Sequence, residues 1–148
     1  MNYLLSFMVF PSLAMCTEFA LLFLRLGIGI IIAIHGFQKL FGGQKTWSWL
    51  GTAMSLIGVK FLPTMWGFFA MLVELLGGIL LTIGLCTKIV SIFLIFDMII
   101  ATLWHLHNGD SFSKYSVPIS YSLIFLTFAI IGGGYYSLDY YFFVSKLI

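Results

Sequence analysis

The amino-acid sequence predicts an all-α, polytopic membrane four-helix bundle. Three observations carry that prediction. Of 148 residues, 61% are hydrophobic and only 8% are charged. A soluble domain has roughly a quarter of its residues charged, so this chain could not clothe a water-facing surface. Mean hydropathy is +1.12. Four separate stretches are each long and apolar enough to cross a bilayer, which takes about 20 residues. The length suits a single transmembrane domain covering residues 1–148.

The expected spans are residues 19–41, 64–85, 87–107 and 118–134. Pro63 and Pro118 mark the starts of the second and fourth, because a proline at a helix start gives up only an N–H that would be unpaired anyway. The link between the first two spans, GGQKTWSWLGTAMSLIGVKFLP, holds Trp47 and Trp49, which belong in the interfacial belt. Residues 50–59 within it suit a short interfacial or re-entrant helix. Only Gly84-Leu85-Cys86 and its neighbours join spans two and three, so those two form an antiparallel hairpin. NGDSFSKYS makes a polar turn before span four. After Gly132-Gly133-Gly134, Ser137 can cap a short terminal helix with Asp139 near its positive end.

Residues 1–16 are apolar but lack Lys and Arg. That argues against a signal peptide, which wants a positive leading region. Leu13-Ala14-Met15-Cys16 is a poor lipoprotein cleavage site, because Met15 is too bulky. The stretch reads as an interfacial lead-in. Cys16 and Cys86 form no CxxC pair and no metal-ligand spacing. An even number of spans places both on one side of the membrane. The net charge of +2 comes without a basic run, so nucleic acid is not an expected partner. Orientation is undetermined, with Lys39, Lys45, Lys60 and Lys114 on one side against Arg25, Lys88 and Lys146 on the other.

Ionisable residues inside spans cost about 2.5–3.5 kcal/mol each at a span centre and are therefore candidate functional groups. Glu74 and Asp97 lie near the middle of the hairpin helices. Arg25 lies about 7–8 Å along the first span from its centre, within reach of either acid. The expected arrangement is a buried Arg25–Glu74 pair with Asp97 beside it. Two carboxyls facing one guanidinium would leave one of them protonated, with Asp97 the candidate. Arg25, Glu74 and Asp97 are thus the candidate catalytic residues, a buried proton relay, and a purely structural ion pair is the alternative. Helical spacing puts Arg25, Gly29, Ile32, Gly36 and Lys39 on one stripe, Glu74, Gly77, Gly78 and Leu81 on a second, and Asp97, Ala101, Trp104 and Asn108 on a third.

His35, Gln38, Lys39, His105 and His107 lie towards one membrane face. His35, Lys39 and His105 can donate hydrogen bonds to a ligand, and Trp104 can stack on a ring. These four are the candidate ligand-binding residues, with snorkelling to lipid headgroups as the alternative. No motif supports a metal, haem or flavin.

The segments LRLGIGIIIAIHGFQKLFGG at 24–43, VELLGGILLTIGLCTK at 73–88, ATLWHLHNG at 101–109 and GGGYYSLD at 132–139 resemble the DoxX family of small four-helix membrane proteins. The pattern Arg…His-Gly-x-x-Lys, then Glu-x-x-Gly-Gly, then a late Ser-Leu-Asp carries the resemblance. It covers nearly the whole chain after residue 20. It implies a bacterial or archaeal cell membrane protein, in the inner membrane of a Gram-negative cell. Members of that family are linked to sulfur and thiol redox metabolism, and the namesake group resembles the membrane subunit of a thiosulfate:quinone oxidoreductase. Two functions are therefore expected to compete. One is a redox-complex membrane subunit that binds quinone and takes electrons from a partner protein or a thiol. The other is a non-enzymatic scaffold or small-molecule carrier, whose charges line a cavity or lock helices together. The homo-oligomeric state is not legible.

Overall fold

The computed structural model describes residues 11–144. Lys146 and residues 1–10, which bear on the side of the termini and on the lead-in, lie outside the described residues. Four long helices follow one another: α1 (Pro11–Gly51), α2 (Pro63–Ile83), α3 (Thr87–His107) and α4 (Phe112–Ile131). All four are long and apolar enough to cross a membrane. The 21 residues of α2 and of α3 each span about 30 Å, the thickness of a hydrocarbon core. Large apolar side chains such as Phe23, Ile34, Ile92, Leu123 and Ile130 face outward. In a soluble protein that surface would be a liability, and here it is the lipid contact.

The local chemistry explains each boundary. α1 breaks at Gly43, whose φ of 63° and ψ of −164° redirect the chain. The remainder of the helix and a 3₁₀ segment, Thr52–Ile57, fold back over the end of the bundle. That segment is the short helix expected between residues 50 and 59. Pro63 occupies the first turn of α2. Gly84, at φ 73°, ends α2, with Gly84 N–H bonded to Leu81 O and Leu85 N–H to Leu80 O, a terminus that satisfies two carbonyls at once.

α4 departs from the expected 118–134. It begins at Phe112, so Pro118 lies inside the helix, where it cannot supply the N–H that would bond the carbonyl four residues earlier. It stops at Ile131 because Gly132 (φ 92°) and Gly134 (φ 77°) leave the helical region. A short π-helical turn, Tyr140–Val144, follows.

The core draws on all four helices: Leu21, Ile28 and Ile32 from α1, Leu81 from α2, Val90, Leu94 and Met98 from α3, and Phe125 and Phe128 from α4. Small residues set the spacing of α1 and α2. A Cβ at Gly36 would strike the backbone of Leu75, and one at Gly78 the backbone of Ala33. In lipid, where apolar side chains gain little by leaving the solvent, such backbone approach is a main source of helix association. These contacts also fix the register. Residue 36 stands opposite 74 and 75, and residue 29 opposite 78 and 82.

Candidate functional site

That register separates the two cations of the α1 stripe and corrects the expected Arg25–Glu74 pair. Arg25 stands beside Gly84, at the end of the bundle that carries the α2–α3 turn. It is buried, with 2% of its surface exposed. Its Nη1 donates to Gly133 O at 2.6 Å and its Nη2 to Tyr136 O at 2.7 Å. Glu18 Oε2 accepts from Tyr135 N–H at 2.5 Å. Asp139 accepts from the N–H groups of Cys86 (2.6 Å) and Thr87 (2.8 Å), so its carboxylate caps the N-terminus of α3. Ser137 Oγ accepts from Tyr140 N–H at 3.2 Å, the terminal cap expected of it. The Gly-Gly-Gly-Tyr-Tyr-Ser-Leu-Asp segment is thus a clasp that ties α1 to the α2–α3 hairpin. Arg25 serves that clasp and lies apart from Glu74. Cys16 and Cys86 are both free and exposed.

The second polar cluster lies towards the other end. Lys39 Nζ sits 2.6 Å from Glu74 Oε2, although no donor meets that buried oxygen at a hydrogen-bonding angle. The contact is therefore a charge pair. Asp97 is within hydrogen-bonding reach of Glu74. Two carboxylates hold no donor between them, so such a bond requires one proton shared by the pair. Glu74 is almost wholly buried, at 4% exposed.

Beside this cluster is a cavity of about 590 Å³. Its polar lining includes Lys39, Asp97 and His105, and its aromatic walls include Trp49, Trp66 and Trp104. Trp49 and Trp104 meet edge to face at 5.8 Å. Phe69, Phe93 and Phe96 also line it while facing outward, so the cavity borders the lipid. The folded-back segment supplies Leu50, Gly51, Ala53 and Met54. Trp47 Nε1 holds that segment by donating to Lys39 O at 2.9 Å. Tight backbone approach of Gly51 to Pro63 and of Gly67 to Trp47 holds it further.

Of the residues expected at a ligand site, the cavity gathers Lys39, Trp104 and His105, and adds Asp97. His35 is exposed and does not line it, because the α1 stripe turns Ile32, Gly36 and Lys39 inward and leaves position 35 outside. His107 is exposed as well. Trp66, Phe93 and Phe96 were not anticipated. The helical spacing of Phe93, Asp97, Ile100 and Trp104 was the available sign. His105 Nδ1 lies 2.8 Å from Asp110 Oδ2, and Lys114 Nζ 2.5 Å from Asp110 Oδ1. These bonds, His105 first, hold the Asp110 carboxyl below the usual carboxylate range. Among the described residues no three of His, Cys, Asp and Glu converge to hold a metal ion.

Residues 20–107 match the DoxX family pattern. The chain belongs to the DoxX family. The match spans α1 to α3 and includes Arg25, Lys39, Glu74, Asp97 and His105. A protein of Bacillus subtilis (strain 168) named "Putative oxidoreductase CatD" is 36% identical to this DoxX protein over 75 residues. That similarity covers 51% of each chain, so the chain spans about half the length of the curated relative it matches. No solved structure matches.

Proposed function

We propose that this DoxX protein is the membrane subunit of a thiol- or sulfur-linked redox complex in a bacterial or archaeal cell membrane, and that its cavity binds a quinone-type ring. One observation carries the reading: a cavity of about 590 Å³ sets Lys39, Asp97 and His105 among tryptophan and phenylalanine walls that border the lipid. The volume falls within the range of roughly 300–1,000 Å³ usual for small-molecule sites. The charges favour a neutral ligand. Lys39 contributes one positive charge, and Glu74 and Asp97 with a shared proton contribute one negative charge. The similarity to a protein named as an oxidoreductase supports a redox role, and the aromatic walls suit a planar ring.

In this reading a ring dione enters from the bilayer and is reduced to the diol. It takes up two electrons and two protons, while a partner protein supplies the electrons as two of its thiols become a disulfide. Lys39 steadies the charge that develops on the ring oxygen. The Glu74–Asp97 pair holds a proton at the cavity wall for transfer to that oxygen. Arg25 has no part in the chemistry.

The test uses the purified full chain. Quinone is expected to co-extract with its lipids, and added decylubiquinone to quench tryptophan fluorescence saturably, with Lys39→Met weakening the binding about tenfold, as for loss of one charge-assisted contact. No extracted quinone together with non-saturating quenching would overturn the reading. A non-enzymatic carrier of another apolar molecule, or a scaffold, would then take its place.

A further inference from the structure

His105 and Asp110 extend the ring-binding reading to the oxidation state of the ligand, and the inference rests on that reading. His105 lines the cavity, and its Nδ1 is engaged by Asp110 Oδ2 at 2.8 Å. Asp110 is itself engaged by Lys114, and both contacts favour its ionised form. An ionised carboxylate has no proton to give, so the hydrogen in the His105–Asp110 bond sits on Nδ1. An imidazole carrying a single proton therefore keeps it there, and Nε2 is left as a bare acceptor. No described residue bonds Nε2.

We propose that His105 Nε2 accepts a hydrogen bond from a hydroxyl of the bound ring, so that the cavity selects a hydroquinone over the corresponding dione, with Asp110 as the positioning residue that fixes the imidazole tautomer. A dione carbonyl placed at Nε2 would set two acceptors face to face, and a site built for a hydroxyl discriminates against the partner lacking it because its own polar group is left unpaired. The charged groups around the cavity are Lys39 on α1, Glu74 on α2, Asp97 on α3, Asp110 in the α3–α4 turn and Lys114 on α4. Of these, Asp110 alone is bonded to the His105 ring.

The experiment compares decylhydroquinone with decylbenzoquinone, under anaerobic conditions, on the full chain in lipid nanodiscs. The diol is expected to bind about tenfold tighter, the scale of one hydrogen bond. Asp110→Asn, whose amide can accept or donate and so no longer fixes the tautomer, is expected to bring the ratio close to one, with the melting temperature little changed. His105→Phe is expected to bind both compounds alike. A wild-type ratio of one would overturn the inference while leaving the ring-binding reading intact. A preference for the diol that persists in His105→Phe would overturn it too, because its source would then lie elsewhere in the cavity. Failure of the wild type to bind either compound would overturn the ring-binding reading, and this inference with it.

Discussion

Gly36→Val is expected to prevent the protein from reaching its native state. A Cβ at residue 36 would overlap the backbone of Leu75 and come within 2.8 Å of the Glu74 carbonyl carbon. Backbone on a packed helix cannot swing aside as a flexible side chain can, so α1 and α2 would have to separate. Separation would open the Gly29 and Gly78 contacts along the same seam and pull Lys39 from Glu74. Overpacking usually costs about 1–3 kcal/mol, but a backbone clash on a seam that sets helix register belongs among the severe cases, above about 4 kcal/mol. Fluorescence-detected size exclusion should show aggregate in place of the native peak. Gly27→Val is the control: it has nothing within 4 Å, and its native peak should survive. Equal survival of both variants would contradict the close α1–α2 approach.

Arg25→Ala is expected to destabilise the fold by about 3–5 kcal/mol, the cost of removing one member of a buried charged set. The guanidinium holds two carbonyls, Gly133 O and Tyr136 O, and Asp139 is the carboxylate whose charge acts on it. Arg25→Lys should rescue little, because a single ammonium cannot fork across both carbonyls. A double-mutant cycle locates the partner. Arg25→Ala and Glu74→Ala should add within about 0.5 kcal/mol, whereas Arg25→Ala and Asp139→Ala should couple. Thermal unfolding in detergent reads both cycles, and coupling of Arg25 to Glu74 would contradict the assignment of Arg25 to the clasp.

The contrast between those two cycles shows how far the sequence could be read. Hydrophobic length and proline punctuation were enough for four helices, and helical spacing put Arg25, Gly29, Ile32, Gly36 and Lys39 on one inward stripe, of which the structure buries the first four and half-buries Lys39. Spacing within a helix carries no information about register between helices. Two cations on the same stripe were therefore equally able to meet Glu74, and contacts through Gly29, Gly36 and Gly78 chose Lys39. The same limit applies to His35, because the edge of a stripe is decided by the neighbouring helix, which leaves it outside. Depth placed Lys39, Trp104 and His105 towards one membrane face and Asp97 near a span centre, and the cavity brings these four together. Trp66 and the folded-back segment were not, since a cavity made by a chain reversal at Gly43 leaves no periodic trace. Glu18 and Asp110 bind through a backbone N–H and a histidine ring contributed by other segments, which single-helix patterns do not report.

The most direct test of the ring-binding cavity is photo-crosslinking with an azido-quinone carrying a decyl tail, followed by peptide mapping. The predicted result is saturable labelling concentrated on Trp49, Trp66 and the stretch from Phe93 to His105, suppressed by excess decylubiquinone and diminished in Lys39→Met. Labelling spread over outward residues such as Phe23, Leu123 and Ile130, with no suppression by competitor, would mean that the quinone only dissolves in the surrounding lipid and would contradict the account.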